Sequence, residues 1–195
     1  MKNLYFIRHG LSEHNVLFKN FGKSIFYDKR YYDTKLVGQG IEESLQLGKT
    51  WDKINNIDIV FCSSLSRTIQ TAINIFQDTT VKIYALDIIK EFPQGLHTCN
   101  KRSHLSLLKE TYPQVDFSLI HQEEDTMWSD TNEEDIQSLN NRIHDFKKFI
   151  NKREEKNIAI VGHNSFMGQM LFQKLSLVEN GDKELKHCFP YEYKI

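Results

Sequence analysis

With 195 residues, 39% of them apolar, the chain suits one domain spanning residues 1–195, with a real core and room for a small insertion. Its 25 basic and 26 acidic residues leave a net charge of −1, which gives no electrostatic case for nucleic acid or an anionic membrane as the main partner. No apolar run approaches the roughly 20 residues of a bilayer span, and the few apolar residues before Arg8 are too short a core for a signal peptide. Cys62, Cys99 and Cys188 are odd in number and lack CxxC spacing, so free thiols in a reducing, cytoplasmic setting are expected. The scattered histidines and cysteines argue against a metal site.

The apolar run Leu4 to Ile7 stops at Arg8-His9-Gly10, which predicts a buried strand with an arginine and a histidine at its C-terminal end. Ligands bind at that edge of open α/β sheets. A guanidinium offers forked donors to phosphate oxygens, and an imidazole can serve as nucleophile. Gly10 is expected to let the backbone turn and approach a ligand closely. Ser12 caps a predicted helix to about Asn20, and residues 21–35 read as a loop beside the site. Its Phe26, Tyr31 and Tyr32 read first as packing, and alternatively as a wall for the substrate's non-phosphate part.

A helix is expected from Leu36–Gly40 onward, with Ile41, Leu45, Leu47 and Trp51 on its apolar positions. Ile57 to Cys62 predicts the next strand, and Ser64 or Ser66 caps the helix after it. Arg67 falls in that helix's first turn, a place the macrodipole disfavours unless an anion binds there. Val81 to Leu86 predicts a third strand. Residues 91–135 are the least regular, with one helix over about Ser103 to Thr111 ended by Pro113. Cys99 within them reads as a packed thiol, and Lys101-Arg102 is open between a substrate contact and a solvated pair.

Glu133 to about Lys152 carries Ile136, Leu139, Ile143, Phe146, Phe149 and Ile150 at helical spacing, with Thr131 as the expected cap. Asn157 to Val161 is the fourth strand, ending at Gly162-His163-Asn164-Ser165. A second histidine thus sits at a strand end, beside a helix N-terminus whose N–H groups favour an anion. Residues 176–195 read as a last strand or a cover for the sheet. The order β-α-β-α-β-(insertion)-α-β-α implies an α/β fold with a mostly parallel sheet and helices on both faces. Such a sheet brings Arg8, His9, Arg67 and His163 to one edge, a positive pocket suited to a small phosphorylated substrate.

The segment Arg8-His9-Gly10-Leu11-Ser12-Glu13-His14-Asn15 resembles the Arg-His-Gly-x-Thr/Ser-x-x-Asn signature of the histidine phosphatase superfamily, to which phosphoglycerate mutases and many phosphatases belong. Ser63 to Ala72 resembles that family's Ser-x-Leu-x-Arg-x-x-Gln-Thr-Ala motif, and His163 stands where its second histidine does. Leu36 to Ser44 is similar to a further family segment only in part, since Val37, Glu43 and Ser44 replace Thr, Gln and Ala.

The resemblance implies a phosphoglycerate mutase-like fold and metal-independent chemistry without a cofactor. It makes His9 the nucleophile, Arg8, Arg67 and His163 the holders of the phosphoryl oxygens, and Asn15 an extra donor. Glu91 matches the family's proton-donating glutamate. Another branch uses an aspartate after the second histidine, where this chain has Asn164, which is left as a substrate contact. The order of segments from Glu91 to Trp128 looks like a fungal and plant branch labelled phosphoglycerate mutase-like or phosphomutase-like. His97, Lys101 and Arg102 then become substrate contacts on an insertion, residues 91–132, that roofs the site. Glycolytic mutases carry Glu-Arg-x-Tyr-Gly after the acid and a longer chain. Here Phe-Pro-Gln-Gly follows Glu91, which favours hydrolysis over mutase-type transfer, with an inactive phosphate-binding scaffold as the third reading.

Overall fold

In the computed structural model, which describes residues 1–175 and 184–195, five strands form one sheet in the order β3-β2-β4-β1-β5. The strands are β1 (Asn3–Arg8), β2 (Ile59–Ser63), β3 (Ile83–Leu86), β4 (Asn157–Gly162) and β5 (Pro190–Lys194). The first four run parallel, and β5 pairs antiparallel with β1 at the edge. The helices are α1 (Glu13–Phe21), α2 (Gly38–Thr50), α3 (Ser66–Phe76), α4 (Leu105–Thr111), α5 (Ile136–Asn151) and α6 (Asn164–Phe172). Of the expected cover by residues 176–195, the stretch 176–183 lies outside the described residues, and 190–194 supply the edge strand.

The strands are apolar at successive positions because both faces are covered, and alternate side chains sort to opposite sides. Tyr5, Ile7, Val60, Cys62, Ala159 and Val161 face one core, shared with Leu47, Ile69, Ala72 and Ile75 of α2 and α3. Leu4, Phe6, Ile59, Phe61, Ile158 and Ile160 face the other, shared with Leu139, Ile143, Phe146 and Ile150 of α5 and with Phe166 and Met170 of α6. Truncating a fully buried ring such as Phe146 to alanine costs about 3–5 kcal/mol at sites of this kind.

Several local expectations shift. Residues 22–31 are not an open loop but two 3-10 turns, Gly22–Tyr27 and Lys29–Tyr31. Neither Ser64 nor Ser66 caps α3 with its own side chain. Asp33, buried and left-handed at φ 44°, takes that role from 33 residues away, accepting from Ser66 N at 2.7 Å and Ser66 Oγ at 2.9 Å. Asp135, not Thr131, caps α5, accepting from Ser138 N at 2.8 Å. Glu134 is drawn off instead to the Arg142 guanidinium at 2.7 Å. Gly10 is needed for a close backbone contact, because a Cβ there would collide with the Gly40 carbonyl.

Candidate active site

The register of the parallel strands builds the site. Arg8, the last residue of β1, lies opposite Gly162, the last residue of β4. The next residue of each chain segment is a histidine, so the rings of His9 and His163 come to 5.2 Å between centroids. β2 flanks β4 on its other side and ends at Ser63, whose Oγ lies 2.9 Å from His163 Nε2. α3 leaves β2 after one short turn and buries Arg67 completely. The Arg67 guanidinium donates to the Cys99 carbonyl at 2.6 Å and to Asn100 Oδ1 at 3.0 Å.

Each ring's environment fixes what its nitrogens can do. His9 Nδ1 lies 2.7 Å from the Gly10 carbonyl, an acceptor only, so Nδ1 carries the proton and Nε2 keeps its lone pair. Burial holds His9 and His163 well below the ordinary imidazole value, and the Arg67 guanidinium pushes both further down. Both rings are therefore neutral at physiological pH. Among the described residues, His163 Nδ1, Arg8 Nε and Arg67 Nε are buried without a hydrogen-bond partner. Three such orphans beside one imidazole suit an oxyanion.

Glu91 meets the site from the segment after β3. Its Oε1 accepts from Ser165 N at 3.0 Å and Phe166 N at 3.1 Å, the first N–H groups of α6. The acceptor that meets that helix N-terminus is thus the Glu91 carboxyl group. Glu91 also lines a cavity of about 380 Å³ together with Arg8, His14, Asn15 and Asn164. His9, His163 and Arg67 are buried and not in its wall, and the His9 ring lies 5.9 Å from that of His14, which does line it.

The other expected contacts divide. Asn15 lies on the cavity wall, its Oδ1 accepting from Ser12 Oγ at 2.6 Å, and Asn164 lies there with Oδ1 accepting from Leu185 N at 2.9 Å. His97 lines the cavity, stacked on Phe26 at 4.6 Å, and burial lowers its basicity. Arg102 does not reach it. Its fully buried guanidinium donates to the carbonyls of Ser103, Gln122, Glu123 and Glu124, and Nε pairs with Asp87 at 3.1 Å. Lys101 is half-buried and not in the cavity wall: its ammonium sits over Trp128 at 4.8 Å and Tyr32 at 5.2 Å. Cys99 is a buried free thiol pushed up to about 11, mainly by burial.

Two neighbours went unread in the sequence. His14 is buried and neutral, held by Ser12 and Thr34. It stood inside the first motif and would lie on the inner face of α1 with Asn15. His187 places its ring 5.6 Å from that of His9 and donates from Nδ1 to the His9 carbonyl. Nothing local in the sequence ties it to the site, because its place comes from a bridge to Arg8 just before β5 pairs antiparallel with β1. Among the described residues, no group of three His, Cys, Asp or Glu side chains is placed to hold a metal, and no helix is long and apolar enough to cross a membrane.

Residues 4–187 match the family model described as the histidine phosphatase superfamily (branch 1). The chain is 30% identical to the phosphoglycerate mutase-like protein 1 of Arabidopsis thaliana, covering 92% of this chain and 72% of that protein. Among solved structures, the ecdysone phosphate phosphatase from Bombix mori in complex with tungstate superposes with a TM-score of 0.67 at 14% identity, over 98% of this chain and 88% of the other. The α-ribazole phosphatase from Shigella flexneri gives a TM-score of 0.60 at 24% identity, over 88% of this chain and 78% of the other. At these identities the two structures speak to the fold.

Proposed function

The chain belongs to the histidine phosphatase superfamily, and from that premise we propose that it hydrolyses a phosphomonoester through a phosphohistidine intermediate. One observation carries the reading: the His9 imidazole, neutral and with Nε2 free to bond, stands beside three buried nitrogens that lack a partner among the described residues. His9 Nε2 attacks phosphorus, and the bond from phosphorus to the alcohol oxygen breaks. Glu91 gives its proton to that oxygen. Water then attacks phosphorus, the P–N bond breaks, Glu91 takes the water's proton, and inorganic phosphate leaves. Arg8, Arg67 and His163 hold the three equatorial oxygens throughout, and Asn15 and Asn164 border the entry.

The orientation of His9 follows from its setting. The Gly10 carbonyl holds Nδ1–H, so Nε2 is presented without rotation of the ring. Burial raises the worth of each donor by excluding water. The decisive variant is His9→Ala. Phosphate release from p-nitrophenyl phosphate is expected to fall by at least about 10⁴-fold. Retained turnover would remove His9 as the nucleophile. Incubation with 3-phosphoglycerate and a trace of 2,3-bisphosphoglycerate separates transfer from hydrolysis. Fast formation of 2-phosphoglycerate without free phosphate would replace hydrolysis by mutase-type transfer.

A further inference from the structure

Outside its phosphate end, the cavity is walled by planes rather than by charges. Phe18 of α1 and Phe26 of the adjoining 3-10 turn are stacked at 5.1 Å and 13°, and Phe26 and His97 at 4.6 Å and 20°. Phe92, Pro93 and Leu175 complete the apolar lining. Its volume of about 380 Å³ suits a small organic group.

The charges of this wall are as informative as its rings. Arg8 is the one Lys or Arg among the described lining residues, and its Nη1 is already 2.8 Å from Glu184 Oε2 and 2.7 Å from the Leu185 carbonyl. The two lining histidines, His14 and His97, are pushed toward the neutral form, by burial first in each case. Glu91 and Glu184 are the two lining carboxylates. The basic pair Lys101-Arg102, which the sequence offered as substrate contacts, is spent on Trp128 and Tyr32 and on backbone carbonyls. A carboxylate or second phosphate on the substrate would find no free cation among the described lining residues, and the Glu184 side chain already occupies the terminal nitrogen of Arg8.

We infer that the substrate's alcohol part is an uncharged, planar, apolar group that packs against the exposed ring edges of the Phe18–Phe26–His97 row, whose inner faces cover one another, rather than an acidic or multiply phosphorylated metabolite. The inference rests on the phosphomonoesterase reading above and names the substrate class for that same site. Edge-to-face ring contacts favour binding beyond area burial, and truncating a ring of the row removes them.

Steady-state kinetics with 1-naphthyl phosphate, glycerol 2-phosphate and 3-phosphoglycerate test it. The expected kcat/KM for 1-naphthyl phosphate exceeds that for 3-phosphoglycerate by at least about tenfold. Phe26→Ala is expected to lower the naphthyl-to-glycerol ratio of kcat/KM at least about fivefold, mainly through the naphthyl KM, while Phe26→Tyr keeps it. Phe18→Ala repeats the test from a different element. Equal or better use of 3-phosphoglycerate, or an unchanged ratio in both alanine variants, would overturn the inference. If no phosphomonoester turns over, the hydrolase reading falls by itself. The substrate class is then read by calorimetry with 1-naphthylmethylphosphonate against 2-carboxyethylphosphonate. Tighter binding of the naphthyl compound supports it, and equal or weaker binding sinks it.

Discussion

Two regions of this molecule bury cations, and they treat them in opposite ways. In the segment after β3, Lys90 and Asp125 are both fully buried and 2.5 Å apart. Asp125 also accepts from the backbone of Arg102, Met127 and Trp128, and Arg102 is ringed by four carbonyls. At the ends of β1 and β4 and the start of α3, by contrast, Arg8 Nε, His163 Nδ1 and Arg67 Nε have no hydrogen-bond partner among the described residues. Burying a polar group without a partner costs free energy, and folding alone gives no return for it. A buried charge ringed by acceptors reads as scaffold, and in the reading proposed above the underpartnered charge at the same depth is a place prepared for an anion. Type, burial and an Nε without a hydrogen bond are common to Arg102 and Arg67; what separates them is the four carbonyls on the terminal nitrogens of Arg102 and the Asp87 carboxylate 3.1 Å from its Nε, against two acceptors for Arg67.

The contrast can be broken at its saturated end first. Asp125→Ala leaves the Lys90 ammonium buried and alone, which should destabilise the fold by about 3–5 kcal/mol in urea titrations. A loss below about 1 kcal/mol would mean that the network does not hold the segment. Arg67→Ala should do the reverse: kcat/KM falls about 10²–10³-fold while the urea midpoint moves little, because an underpartnered buried charge has gone. A large stability loss with normal turnover per folded molecule would class Arg67 with Arg102.

Smaller effects sharpen the account of the chemistry. Glu91→Gln is expected to lower kcat about 10²-fold for an alkyl phosphomonoester and much less for p-nitrophenyl phosphate, whose leaving group needs no proton. Equal losses on both would make Glu91 a cap for α6 and nothing more. The pH dependence of stability is the gentlest probe. His9, His14 and His163 are each held well below 6.5, first by burial and then by Arg67. Below about 6.5 the unfolded chain therefore takes up protons that the folded chain refuses, so stability is full above that pH and declines as the pH falls through it. A flat urea midpoint between pH 7.5 and 5.5 would contradict the neutral assignment of these rings.

What the sequence made legible was whatever depends on chain-local pattern. Apolar runs ending at Arg8 and at Gly162 marked both strand ends, and parallel register then brings His9 and His163 together without further information. Partners chosen across the fold were not legible. Asp33 caps α3 from another segment, Asp135 outcompetes Thr131 by standing at the helix's own first turn, and Glu91 rather than a free anion meets α6. Arg102 is a basic residue in an irregular stretch, and only the returning loop at 122–124 decides which way it points. His187 reaches the site through β5, whose pairing with β1 is set by the opposite end of the chain.

The most direct measurement is base-quench mass spectrometry of the wild-type enzyme during turnover of 1-naphthyl phosphate, reading the peptide that contains His9. The expected result is a phosphoryl group on the His9 imidazole that survives base and is lost in acid. Steady release of phosphate with the label on another residue, and His9 unmodified at every quench time, would contradict covalent chemistry at this histidine.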